Sequence, residues 1–102
     1  CFSSGPQMAR RCLDAGWVLS LSGTVTFSNA RELRDAAALI PPGQLLVETD
    51  APFLTPHPFR GAPNEPYCLP YTVRTLADLV NRPAAEVAAE AAETARRVYR
   101  LP

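Results

Sequence analysis

The sequence predicts an α/β protein built on parallel strands, the closing part of a (β/α) barrel larger than these 102 residues. Three observations point there. Strand-like and amphipathic helical segments alternate in the order strand stub, helix, strand, helix, strand, long loop, helix, helix. The run Leu45-Leu46-Val47 is apolar at every position, as in a parallel strand covered on both faces. Two strands and a stub leave open edges, so the chain is expected to be the tail of a barrel and, taken alone, marginal or sticky.

Each element has a local reason. Cys1-Phe2-Ser3 is the stub. Ser4 and Gln7 have capping-box spacing and Pro6 suits a first turn, which opens a helix with Met8, Cys12 and Ala15 on one face and Gly16 as its stop. From Trp17 to Ser22 large apolar residues (Trp17, Leu19, Leu21) alternate with Val18, Ser20 and Ser22, a strand period that Gly23 ends. Asn29 and Glu32 form a second capping box before a helix with Leu33, Ala36, Ala37 and Ile40 on one face, broken by Pro41-Pro42-Gly43. The strand Leu45–Val47 runs into a loop over 51–66 stiffened by Pro52, Pro56, Pro58, Pro63 and Pro66, and a loop this long and this rigid suits a functional site. A helix from about Pro70 to Val80 faces inward with Val73, Leu76, Ala77 and Val80. After Asn81 and Pro83, an alanine-rich helix spans about Ala84 to Tyr99. Its acids come early and its arginines late, pairing Glu93 with Arg97 on a solvated outer face.

Composition narrows the chemistry. Ten arginines and no lysine balance ten acids, and zero net charge removes the usual signature of a free-standing nucleic-acid binder. No run approaches the ~20 apolar residues of a membrane span, and no targeting leader is visible. The absence of Met at position 1 is expected to mark either a removed segment or a piece of a longer protein. Cys1, Cys12 and Cys68 are odd in number and widely spaced, so a reducing cytoplasm is the simpler setting than a disulfide framework. His57 is the only histidine, so no His-rich metal site can be completed by this chain. Its chemistry needs groups from outside.

The strongest chemical signal is Glu48-Thr49-Asp50-Ala51-Pro52. Active sites of (β/α) barrels lie at the C-terminal ends of the strands, and Asp50 stands there. Period two would put Glu48 and Asp50 on one face, Asp50 nearer the mouth. A carboxylate so placed can hold a divalent metal or take a proton from water beside it, whereas its structural alternative is to cap the turn before Pro52.

The segments Cys1-Phe2-Ser3, Ser22-Gly23-Thr24-Val25-Thr26-Phe27, Leu46 to Leu54 (L-V-E-T-D-A-P-F-L) and Arg60-Gly61 with Asn64-Glu65-Pro66 occur in order. Together they resemble the C-terminal part of the TatD family of metal-dependent hydrolases, over essentially the whole chain. The V-E-T-D-A-P and R-G-x-x-N-E-P segments are specific in combination. One departure is Ser4-Gly5, which reverses the family's usual Gly-then-polar order after C-F-S and moves the permissive backbone position by one residue.

That resemblance implies a TIM (β/α)8 barrel of the amidohydrolase type, with residues 1–102 the C-terminal fragment of its single domain. It implies a deoxyribonuclease of the 3′-to-5′ exonuclease kind holding one or two divalent cations (Mg²⁺, Mn²⁺ or Zn²⁺). Asp50 matches one metal ligand and would also act as general base. Five further ligand positions, four of them histidines, would come from the missing N-terminal part of the barrel, so this chain alone is expected to be inactive. Glu48 would sit deeper, orienting a ligand or packing. Arg60 is the candidate phosphate contact, against a salt bridge to Glu65 or near Asp50. Asn64 and Glu65 are substrate-binding candidates whose alternative is to shape the loop by hydrogen bonds. His57 reads as an exposed loop histidine, Cys1 as buried, and Phe53 as a core residue that could otherwise stack on a base.

Two other readings stay open. One is an inactive barrel remnant acting as an interaction module, its edges covered by a partner or a second copy. The other keeps the barrel with another substrate class, such as a lactone or phosphotriester.

Overall fold

The computed structural model describes all residues, 1–102. Helix α1 (Pro6–Asp14) precedes strand β1 (Leu19–Leu21), a 3₁₀ turn (Gly23–Thr26) and helix α2 (Arg31–Ala37). A second 3₁₀ turn (Pro42–Gln44) leads into strand β2 (Leu45–Val47); a third (Pro66–Cys68) opens helix α3 (Leu69–Leu79), and helix α4 (Ala84–Tyr99) follows.

β1 and β2 pair in parallel, with Leu19 opposite Leu45 and Leu21 opposite Val47, and α2 is the crossover between them. The ladder continues one step past β2, where the Glu48 N–H donates to the Leu21 carbonyl at 3.0 Å. On the other side of β1 the Phe2 N–H donates to the Ser20 carbonyl at 2.8 Å. Because successive carbonyls point to opposite edges, β1 lies between the stub and β2. All three segments end at the same rim. Cys1, Ser22 and Glu48 meet there.

The core gathers Leu19, Leu21 and Val25 from the strand and turn, Leu33, Ala36, Ala37 and Ile40 from α2 and its end, and Val73, Leu76, Ala77 and Val87 from α3 and α4. The inner faces expected of α2 and α3 are thus the ones buried, although Val80 is only half-buried. α1 is turned by one residue from expectation: Ala9 and Cys12 are buried while Met8 and Ala15 are exposed. Close packing of α1 on the sheet and on α2 selects the smaller side chain. Gly16 ends α1 as expected, with φ at +81° and its N–H on the Leu13 carbonyl at 3.0 Å.

Neither capping box forms. Gly5 and Ala30 are the N-cap residues of α1 and α2 and neither has a side-chain bond to offer. Pro6 starts α1 through its fixed φ, and Gly5 has an ordinary φ of −94°, so the Ser4-Gly5 reversal creates no left-handed position. β2 is half-buried at all three residues instead of covered on both faces, because the sheet stops at two strands. α4 has the range expected, but its inner face carries Val87, Ala91 and Thr94 in the interior. The expected Glu93–Arg97 pair is replaced: Glu93 meets Arg96 at 3.3 Å, and Arg97 donates to the Gly43 carbonyl. Trp17 is 62% exposed, outside the core its strand period suggested, since β1 begins two residues later.

Candidate functional site

The rim of the sheet and the loop over 51–66 form one structure. Thr49 and Asp50 leave β2, and the extended alternation ends at Asp50, whose φ is +61°. Period two therefore does not carry Asp50 onto the face of Glu48. The left-handed turn costs an aspartate little compared with a branched residue. It is closed by the Phe53 N–H on the Asp50 carbonyl at 2.9 Å and by the Ala51 N–H on Thr49 Oγ1 at 3.2 Å. The Asp50 carboxylate is exposed and makes no hydrogen bond or ion pair within the chain. Capping of the turn before Pro52 falls to Thr49.

Asn64 binds this turn from below. Its side chain is buried at 3% exposure, and Nδ2 donates to the Thr49 carbonyl at 2.6 Å and the Phe53 carbonyl at 2.8 Å. Its backbone N–H adds a third bond, to the Pro52 carbonyl at 3.0 Å. Asn64 Oδ1 is buried without a partner. Thr55 Oγ1 closes the outer loop on the Ala62 carbonyl at 2.6 Å. Gly23 seats the loop against the end of β1: a Cβ there would run into the Leu54 carbonyl oxygen and lie 2.9 Å from the Pro56 nitrogen.

Arg60 makes no salt bridge to Glu65 or to any acid. Its guanidinium lies 3.7 Å from the centroid of the Phe27 ring, and its N–H groups are left free. The same ring meets His57 edge-on with centroids 6.3 Å apart, and the His57 N–H donates to Thr26 Oγ1 at 2.9 Å. His57 is exposed. Glu65 is exposed, and its carboxylate, hydrogen-bonded to the Tyr67 hydroxyl, holds that phenol above its ordinary range. Glu48 is half-buried, with Oε2 3.2 Å from the Cys1 nitrogen. Cys1 is exposed, its Sγ 3.1 Å from Ser22 Oγ. Phe53 is 69% exposed at the loop tip, with no core to enter there.

The structure therefore gathers Glu48, Asp50 and Asn64 around the end of β2 and sets Arg60 apart on the Phe27 platform, while Glu65 turns to Tyr67. Sequence reading passed over three supports. Phe27 carries the Arg60 guanidinium, Gly23 gives the loop room to seat, and the Arg34 guanidinium donates to the Val25, Phe27 and Ser28 carbonyls and so fixes the platform. For Gly23 and Phe27 the available signal is their place in the segment Ser22–Phe27 directly after a strand; for Arg34, within α2, no local signal exists.

No group of three or more His, Cys, Asp or Glu side chains converges on a point where a metal could sit. As a donor set the rim is nevertheless suited to a hard divalent cation, since the unpaired Asp50 carboxylate supplies one oxygen ligand. It fits as one ligand of a site, not as a whole one.

Residues 1–100 match the family model for TatD related DNases. The chain belongs to the TatD family. Among TatD relatives, the "uncharacterized metal-dependent hydrolase TatD" of Mycobacterium tuberculosis is 68% identical over 101 residues, which are 99% of this chain and 38% of that protein. The "uncharacterized metal-dependent hydrolase YabD" of Bacillus subtilis is 42% identical over 99% of this chain and 40% of its own length. The crystal structure of YJJV, a TatD homologue from Escherichia coli K12, superposes with a TM-score of 0.89 at 33% identity, covering 99% of this chain and 39% of that one. A TatD family hydrolase from Entamoeba histolytica shares the fold at a TM-score of 0.87 and 17% identity, across 100% of this chain and 41% of its own. The chain thus spans about two-fifths of the length of the curated relatives it matches. The parallel β/α arrangement is part of a TatD-type TIM barrel, as the strand and helix order implied.

Proposed function

We propose that this chain is the C-terminal portion of a TatD-type metal-dependent hydrolase that cleaves DNA phosphodiester bonds from the 3′ end. The observation that carries the reading is the Asp50 carboxylate, unpaired and held in a left-handed turn at the C-terminal rim of a parallel strand. The relatives' shared name as metal-dependent hydrolases supports it. Bound divalent metal supplies Lewis-acid polarisation of the phosphate and a more acidic water. Asp50 contributes one oxygen ligand and accepts a proton at a carboxylate oxygen. Glu48, half-buried at the end of β2, orients a neighbouring ligand. Arg60, with its N–H groups free above Phe27, grips a phosphate in bidentate fashion, and exposed Phe53 offers a face for a terminal base. Asn64 acts through the loop and Glu65 borders the substrate groove beside Tyr67. The remaining ligands come from the N-terminal part of the barrel. The three free cysteines suit a reducing cytoplasm, and no helix is long and apolar enough to cross a membrane.

The test uses the full-length protein that contains this chain, single-stranded DNA with a free 3′ end, and Mg²⁺ or Mn²⁺. Wild type should release nucleotides, and Asp50→Asn should lower kcat by about 10²-fold or more. Undiminished turnover in D50N would sink the assignment. Hydrolysis of lactones with no action on DNA would move the substrate class instead.

A further inference from the structure

We infer that Asn64 is the positioning residue for Asp50, setting the carboxylate for metal through the loop backbone and not by touching substrate. The inference rests on the reading of Asp50 as a metal ligand. Three hydrogen bonds from this one residue end on Thr49, Pro52 and Phe53, which bracket Asp50 on both sides. Asp50 itself has no side-chain partner in the chain, so the direction of its carboxylate at φ +61° is set by the backbone on either side of it. Thr55 reaches Ala62 farther out on the loop, while the Ala51 N–H on Thr49 Oγ1 and the Phe53 N–H on the Asp50 carbonyl close the turn upon itself, so Asn64 is the residue that ties the turn to the rest of the loop. Burial at 3% exposure keeps Asn64 from a polymeric substrate. Its Oδ1 is left buried and unpaired, so the amide is oriented by what its nitrogen donates to, the Thr49 and Phe53 carbonyls. Only a side chain with two donors on one atom meets both carbonyls. Aspartate has the same shape and none of the donors.

The deciding experiment is calorimetric titration of Mn²⁺ into the full-length protein and its D50N, Asn64→Asp and Thr55→Val variants, with thermal melting and DNA hydrolysis alongside. N64D should weaken Mn²⁺ binding by about tenfold or more and raise the Mn²⁺ needed for half-maximal activity equally, with KM for DNA within about threefold of wild type. T55V, which loosens the same loop away from Asp50, should lower the melting temperature while leaving Mn²⁺ affinity within about twofold. Wild-type Mn²⁺ affinity in N64D, where D50N has lost it, overturns the positioning role and leaves the metal-ligand reading standing. Equal losses in N64D and T55V overturn it too, since any loosening would then suffice. Wild-type affinity in D50N overturns the reading of Asp50 and the role of Asn64 with it. Asn64→Ser, small enough for the site but unable to reach both carbonyls, repeats the comparison should N64D fail to fold.

Discussion

Arg60 lies against an aromatic face without any acidic partner, an arrangement that leaves the charge available. At 3.7 Å from the Phe27 ring centroid its stacking contributes about 0.5–1 kcal/mol at an exposed site, and all five N–H groups stay open to a ligand. Arg60→Ala should raise KM for single-stranded DNA about tenfold, with kcat within about threefold. It should also flatten the slope of log KM against log salt by about 0.7, one phosphate contact on a single strand. An unchanged salt slope would show that Arg60 serves only to hold the loop. Asp50 and Arg60 were both legible as candidates because charged residues beside proline and glycine in a strand-end loop have few other reasons to be there. Phe27 was not, because a phenylalanine after a strand looks the same whether it enters the core or carries a guanidinium. The burial of Asn64 was equally hidden, since an asparagine in a polar loop announces nothing about which carbonyls it will meet.

The connection between α3 and α4 is held by charge. Arg82 grips Glu90 with both guanidinium nitrogens, one at 2.7 Å, and reaches Glu86 at 3.5 Å. The pair stands at the mouth of a cavity of about 120 Å³ lined by Ile40, Leu45, Leu76 and Val87. The bond to Arg82 lowers the Glu90 carboxyl below its ordinary value of 4.5. A carboxyl lowered by folding stabilises the native state above its unfolded value, and that contribution disappears as pH falls through the folded one. The melting temperature of wild type should therefore drop more steeply than that of Glu90→Gln between about pH 5 and pH 3, the two curves converging in acid. Parallel curves over that range would mean that the pair contributes nothing to stability. At this scale the reading of elements was most successful where the pattern was long. α4 has the residues expected of it, because sixteen residues of alanine-rich period leave no competing structure. Both predicted capping boxes failed, because a cap is a single hydrogen bond and a proline start or a neighbouring turn overrides it. Arg97 likewise left Glu93 for the Gly43 carbonyl, a partner 54 residues away that no i,i+4 rule could supply.

Taken whole, the molecule is short of interior. Only 22 of 102 residues are buried, and both strands of the sheet are three residues long with β2 half-exposed. Two parallel strands do not make an independently stable sheet, and an unpaired edge invites pairing with another chain. The isolated 102-residue chain should accordingly self-associate with rising concentration in sedimentation velocity and melt without a sharp transition, whether or not divalent metal is present. A monomer with a cooperative melt would show that this arrangement is self-sufficient and would count against the interaction-module reading, whose open edges call for a partner or a second copy. The parallel α/β class, the order of elements, the barrel origin and the place of Asp50 at a strand end were determined by the sequence alone, because hydrophobic period and residue type act locally and survive any choice of neighbours. Tertiary structure alone decided which face of α1 packs, that Asp50 breaks the strand period, that Asn64 is buried beneath it, and that Arg60 rests on Phe27. Each of those depends on a contact between residues far apart in the chain, where the winning partner is set by distance after folding and leaves no mark in local spacing.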